Sequence, residues 1–275
     1  MQIHVREWNP VTDHQEIYEP IAAAVITGGR VHLSHLNSVA NRYIDRYLRF
    51  LDSASANGVA ITTECYPYTA GMAGIASSLF DGWEKWPDER FARFRLPGGE
   101  TLNRQTFADR HAEGGMVIVE IAKPEWVDAC VAHPATQIAS DGSWEHGETH
   151  PRVAGTHSRV LGHYVRERRL LTLESAIRKM TLLPALALQG AAPQLARKGR
   201  LQQGMDAELM VFDPETIADR ATYEQPTLPP HGIDIVIVNG VIVVRNGKIV
   251  DGVTPGAAIR RTRGTSGPRP DATQP

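Results

Sequence analysis

Residues 138–152, IASDGSWEHGETHPR, gather Asp141, Glu145, His146, Glu148, His150 and Arg152 directly after the apolar pair Ile138 and Ala139. A carboxylate that closes a short apolar strand, with Gly142 behind it, is placed to ligate a hard or borderline cation and to take a proton from the water that such a cation activates. An Asx-turn that merely ends the strand would use the same residue. Arg152 carries a planar fork that matches a carboxylate, and Glu145 or Glu148 could equally fill that fork as a surface ion pair. Upstream, RVHLSHL (30–36) alternates His32 and Ser34 with Leu33 and His35, so the two imidazoles face opposite ways on a strand. His35 lies toward the strand's C-terminal end, where a parallel barrel collects its reactive groups; core packing of one histidine and exposure of the other is the competing reading. In VAITTECYPY (59–68), Thr62, Glu64 and Tyr66 share a face. Glu64 in a buried strand needs a partner, either a metal or substrate or an ion pair, and local sequence favours the ion pair. Cys65 reads as a small apolar side chain, because nothing beside it specifies a base.

These residues must be held by the elements around them. IHVRE (3–7), RVHLSHL, VAITTECYPY, MVIVEI (116–121) and TQIAS (136–140) read as strands. Helical stretches fall between them: Asp13 to Ile26, Ala40 to Ala56 ending on Asn57-Gly58, and Glu125 to Ala132. Residues 69–115, with Trp83, Trp86 and Pro97-Gly98-Gly99, read as irregular. Strand–helix alternation favours a parallel sheet with helices outside it, as a (β/α) barrel or a doubly wound sheet. Further helices are expected over 160–170 and 173–188, the second capped by Thr172. Past Gly199 the pattern becomes β-strands joined by Asn239-Gly240 and Asn246-Gly247, dipeptides suited to tight hairpins. The final stretch, rich in Pro, Gly, Ser and Thr, reads as a disordered tail.

Composition narrows the classes of function. The chain has 275 residues, 42% of them hydrophobic, enough for a full-sized core. Its 29 basic and 31 acidic residues nearly cancel, which gives no electrostatic case for nucleic acid or an anionic membrane and leaves a small polar substrate open. Two cysteines, Cys65 and Cys130, argue against a disulfide framework. The opening MQIHVREWNP lacks the pattern of a secretory signal, and no apolar run approaches a membrane span, so a cytoplasmic protein is expected.

Taken in order, the strand ending in His35, TTE-x-YPYTAG, SDG, HPR-x-x-GT-x-x-RVLG-x-YVRE, IRKMTLLPA and KGRLQQGMDAELMVFDPETIADRATY resemble the N-acyl-D-amino-acid deacylases of the amidohydrolase superfamily. The resemblance runs from about His4 to about Gly252, and TTE-x-YPYTAG is similar to the D-glutamate deacylase branch. It implies an α/β fold: the C-terminal part of a metal-dependent (β/α)8 TIM barrel over 1–198 (strands 4 to 8), a β-sandwich segment over 199–258, and a tail over 259–275. It also implies zinc, one or two ions, and a small N-acyl-D-amino acid as substrate. By resemblance His35 and Asp141 bind metal, Asp141 also shuttling the proton to and from zinc-activated water, and Arg152 grips the substrate carboxylate. His4 and Arg6 match an H-x-R of the fourth strand and, with Tyr66 and His150, are expected to face substrate. The superfamily's sixth-strand histidine has no counterpart here, so Glu64 is the expected substitute ligand.

The family's earlier segment, with the first three strands, an H-x-H pair and a bridging cysteine, is not in this sequence. An N-terminally truncated, five-strand half barrel is therefore expected, with apolar surface exposed near residues 1–8 and along the first helix and self-association through open sheet edges. Two alternatives stand beside the hydrolase: an inactive structural or binding remnant completed by a partner chain, and a glycoside hydrolase pairing Glu64 with Glu120 or Asp141.

Overall fold

The computed structural model describes residues 1–5, 15–145 and 147–261. Arg6, His146 and the tail from residue 262 lie outside the described residues, as do parts of the expected first strand and first helix.

Strand β1 (Gln2–Ile3), helix α1 (Gln15–Thr27), strand β2 (Val31–Leu33), helices α2 (Leu36–Ala40) and α3 (Ile44–Ala56), and strand β3 (Ile61–Cys65) form two strand–helix–strand units with parallel strands. Ile44, Tyr47, Leu48, Leu51 and Ala54 repeat at helical spacing along α3, and that stripe is buried. The helix ends at Asn57, and Gly58 takes the positive φ of 80° that releases the chain into β3.

The chain then leaves the sheet. Strands β4 (Ala70–Gly74) and β5 (Phe94–Arg95), helix α4 (Arg104–Glu113) and strand β6 (Met116–Glu120) build a side unit in which β4 and β5 both pair antiparallel with β6. The region expected to be irregular is thus ordered around its own core: Phe80, Phe91, Phe94, Phe107 and Val117 are buried, with Trp83 and Trp86 packed on them. MVIVE is a strand as expected, but it belongs to this side sheet. Helix α5 (Pro124–Ala132) and strand β7 (Thr136–Ile138) return to the parallel sheet, whose order is β1-β2-β3-β7. Among the described residues that sheet holds four strands, not five, and its order does not close into a barrel.

A two-stranded ribbon, β8 (Trp144–Glu145) with β9 (Glu148–Thr149), leads into helix α6 (Arg152–Arg159), which continues as a π-helix over Val160–Glu167. The expected helix over 173–188 is two helices, α7 (Leu173–Met180) and α8 (Leu182–Leu188), separated at Thr181. Pro184 explains the break: it lacks the N–H needed to continue α7 and its ring crowds the carbonyl of Met180, whereas it is tolerated in the first turn of α8. Thr172 caps α7 by accepting from the Ser175 N–H at 3.1 Å. From α7, buried Lys179 donates to the carbonyls of His133 and Thr136, covering the outer side of β7.

Strands β10 (Leu209–Phe212), β11 (Ile233–Val238), β12 (Val241–Arg245) and β13 (Lys248–Ile249) form one antiparallel sheet. At both Asn-Gly turns the asparagine and the glycine have positive φ, the backbone a two-residue hairpin requires. Met1, Val25 and Ile26 are exposed, which matches the expected apolar surface beside β1 and along α1.

Candidate active site

The C-terminal ends of β2, β3 and β7 open on a cavity of about 130 Å³. His4, His35, Ser38, Tyr66, Asp141 and Arg152 line one side, and Gly71, Met72, Ala73, Leu79, Phe80, Val119 and Ile121 from the side unit line the other. The polar half comes from segments that follow the parallel strands, including α2 and the first turn of α6; the apolar half comes from β4, β6 and the turns beside them.

His35 reaches this cavity because β2 stops at Leu33. The expected alternation across RVHLSHL ends there, and His35 sits just before α2 with φ 31° and ψ 59°. Asp141, just past β7, also holds a positive φ, 48°. Two non-glycine residues in the left-handed region are backbone strain stored where the reactive side chains are. Gly142 permits the next step of the path: a Cβ there would lie 2.9 Å from Val153 Cγ2, so only glycine lets this loop rest on the first turn of α6.

That approach brings Asp141 to Arg152. The buried guanidinium places Nη1 2.9 Å from Asp141 Oδ2, off line for a hydrogen bond, and its carbon lies 4.7 Å from the centre of the Tyr66 ring. Arg152 Nε and Nη1 are buried without a hydrogen-bond acceptor among the described residues. Buried donors of this kind cost free energy until an acceptor arrives, and a carboxylate is the acceptor their geometry fits. Burial also pushes the Tyr66 phenol above its usual range, so it remains an O–H donor.

The His35 imidazole is pushed below its ordinary range, mainly by burial, with Asp141 opposing. It is therefore neutral near pH 7, the form that donates a lone pair. Ser38 Oγ donates to His35 O at 2.9 Å and lies 2.6 Å from His35 Nδ1. With the hydroxyl proton committed to the carbonyl, Nδ1–H is the donor to Oγ, and the free lone pair falls on Nε2. The His4 ring stands edge-on to His35 with centroids 4.3 Å apart.

Two expected site residues lie elsewhere. Glu64 Oε2 is 2.9 Å from His32 Nε2, and His32 Nδ1 is 2.8 Å from Thr62 Oγ1. Glu64 therefore satisfies the ion-pair reading and does not line the cavity with His35 and Asp141; its place one residue before the strand end keeps it a layer below them. Glu120 engages Thr69 and Arg95 in the side unit, so the paired acids of a glycosidase are not assembled. His150 is fully buried off the cavity. Its Nδ1 accepts the Arg152 N–H at 3.0 Å, its ring sits edge-on to Tyr68 and Tyr223, and burial followed by the Arg152 charge pushes its pKa down to about 3. It shapes the turn that carries Arg152 and does not line this cavity.

Two residues escaped the sequence reading. Ser38 orients His35, and fully buried Asn37 donates to Tyr66 O at 3.2 Å and accepts from Tyr66 N at 3.3 Å. A polar pair beginning two residues after His35 was the available signal. Among the described residues, no group of three or more His, Cys, Asp or Glu side chains closes into a metal site. The donors present nevertheless fit zinc in kind, with imidazole nitrogen from His4 and His35 and carboxylate oxygen from Asp141. Two larger cavities, about 510 and 570 Å³, lie outside this site, one beside Arg159 and Tyr164 and one between the π-helix and β10.

Residues 49–244 match the model of the Amidohydrolase family. The chain is 34% identical over 230 residues to an N-acyl-D-glutamate deacylase of Alcaligenes xylosoxydans xylosoxydans, covering 79% of this chain and 45% of that protein. A D-aminoacylase of the same organism is 45% identical over 129 residues, 47% of this chain and 25% of its own length. Among solved structures, an N-acyl-D-glutamate deacylase from Bordetella bronchiseptica, complexed with zinc and a phosphonate that mimics the tetrahedral intermediate, superimposes with a TM-score of 0.75 at 30% identity over 94% of this chain and 54% of that one. The chain spans about half the length of these deacylases.

Proposed function

The chain belongs to the amidohydrolase family, and on that premise we propose that it carries part of the site of a metal-dependent hydrolase that cleaves the amide bond of N-acyl-D-amino acids. The observation that carries this reading is Arg152: a buried guanidinium with unmet donors, facing a cavity shared with Asp141 and His35. Arg152 takes the substrate carboxylate and fixes the amide against Asp141. Asp141 accepts a proton from the attacking water and returns it to the leaving nitrogen. The Tyr66 O–H is available to the developing oxyanion, with Asn37 holding its backbone in place. His4 and His35, with Asp141, would hold zinc, which when bound polarises the carbonyl and lowers the pKa of water. In this assignment His4 replaces Glu64 among the expected metal ligands, because His4 touches His35 and Glu64 is bound to His32. For Arg6, which follows His4 in H-x-R, a substrate role rests on the resemblance alone.

Within the same reading, residues 1–198 correspond to the C-terminal part of a (β/α)8 barrel, residues 199–258 to part of a β-sandwich, and the reducing cytoplasm suits two free, buried cysteines. Among the described residues no helix is long and apolar enough to cross a membrane. A second reading, that the chain works only when another polypeptide completes it, is favoured by β1, an edge strand of the open sheet with apolar Met1 exposed at its start; self-association there is the simplest form.

The test is substrate binding by Arg152→Lys. A lysine keeps the charge and loses the fork, so affinity for an N-acyl-D-amino acid should fall about tenfold or more, with little change for the corresponding N-acyl amine that lacks the carboxylate. Equal losses for both ligands would remove Arg152 from the carboxylate.

A further inference from the structure

The cavity of about 510 Å³ beside Arg159 and Tyr164 shares no lining residue with the candidate active site, yet it backs onto the same turns. Pro67 and Tyr68 line it directly after Tyr66, and Pro151 lines it directly before Arg152. Two ion pairs face it. Arg159 donates from Nη1 to Asp219 Oδ2 at 3.2 Å and from Nε to the Pro67 carbonyl at 2.9 Å, while Arg168 donates from Nη1 to Asp128 Oδ1 at 2.6 Å. Each pair is closed by one N–H···O contact where an arginine and a carboxylate can form two, so each leaves a guanidinium nitrogen and a carboxylate oxygen for a ligand. Tyr164 lines the cavity with its side chain only 4% exposed, and its hydroxyl makes no hydrogen bond among the described residues. A hydroxyl so enclosed is disfavoured until an acceptor reaches it. The formal charges on the lining, Arg159 and Arg168 against Asp128, Asp219 and Glu224, with His163 held by Glu167, give no positive excess that would draw a plain anion. A ligand with one charge of each sign matches both pairs.

We propose that this second cavity binds a free α-amino acid with an apolar side chain, as the zwitterion. Its carboxylate meets the uncommitted guanidinium nitrogens and the Tyr164 hydroxyl, its ammonium meets the second oxygens of Asp128 and Asp219, and its side chain lies against Val127, Pro124 and Pro151. An N-acylated amino acid does not suit this cavity, because its amide nitrogen carries no charge to offer the two aspartates. Binding here requires no hydrolysis, so the inference goes beyond the deacylase reading and stands apart from it.

The experiment titrates D-leucine into the full chain by calorimetry, beside isocaproate, which lacks the ammonium, and isoamylamine, which lacks the carboxylate. The expected result is saturable binding of D-leucine, about tenfold or more tighter than either analogue, weakened about tenfold by Arg168→Gln and about threefold by Tyr164→Phe, and unchanged by Arg152→Lys. Arg168 is exposed and Tyr164→Phe keeps the ring in the core, so both variants retain the fold. Equal binding of isocaproate overturns the zwitterion. Leucine binding that is lost in Arg152→Lys and kept in Arg168→Gln and Tyr164→Phe places the amino acid in the catalytic cavity and overturns this site. Absence of leucine binding overturns the inference outright; amine release from N-acetyl-D-leucine, measured separately, keeps that outcome distinct from failure of the deacylase reading.

Discussion

Ser38 shows how a single hydroxyl can decide what a histidine offers. It donates to the His35 carbonyl and lies within hydrogen-bond reach of Nδ1, an arrangement in which Nδ1–H is the donor and Nε2 keeps its lone pair. Ser38→Ala leaves the tautomer unfixed and should weaken zinc binding about tenfold, with Ser38→Thr recovering most of it; competition with a chromogenic chelator reads both. Equal affinity in Ser38→Ala would assign the serine to the α2 turn alone. Of the expected site residues that line the cavity, His35, Asp141 and Tyr66 each lie just past the end of a parallel strand, the position the sequence reading used, whereas Arg152 opens α6 after the β8–β9 ribbon. Glu64 and His150 were misplaced for a shared reason. Residue type names what a side chain can bind, whereas depth along a strand and the partner on the neighbouring strand decide what it does bind, and His32 and the Arg152 amide were those partners.

The elements were read well where local chemistry governs them. Alternation in β2 and β3, the Asn57-Gly58 stop and the two Asn-Gly hairpins need nothing beyond neighbours in sequence. The side unit was not legible, because the apolar run MVIVE has the same texture whether it pairs with β7 in parallel or with β4 antiparallel, and only three-dimensional packing chooses. Its consequence is functional: β4 and β6 supply the apolar half of the cavity. The π-helix after α6 is fixed by a close approach. A Cβ on Gly162 would lie 2.6 Å from the Ile217 carbonyl oxygen, a backbone atom that cannot swing away. Gly162→Ala should therefore destabilise the fold by about 1–3 kcal/mol in urea unfolding, by forcing the helix off the segment that leads to β11. An unchanged midpoint would mean that the two segments separate freely.

At the scale of the molecule, the open parallel sheet and the buried neutral histidines set the conditions under which the chain holds together. The folded pKa of His150, about 3, lies well below its ordinary 6.5, chiefly through burial, so between those values the unfolded chain binds the extra proton. Its contribution is fully present above pH 6.5 and is lost as the pH falls toward 3. His35 and His157 are shifted in the same direction, also by burial, and steepen the same slope. His150→Asn should reduce the loss of unfolding free energy between pH 7 and 5 by about 2 kcal/mol; an identical pH slope in the variant would mean that His150 is already protonated or exposed in the fold.

The measurement that reaches the central claim most directly is amine release from N-acetyl-D-leucine and its L-enantiomer by the zinc-saturated chain, for the wild type and Asp141→Asn. The account predicts turnover of the D-compound alone and a fall of about 100-fold or more in Asp141→Asn, whose side chain keeps the shape and loses the base. No turnover at zinc saturation, or turnover that survives Asp141→Asn, would contradict it.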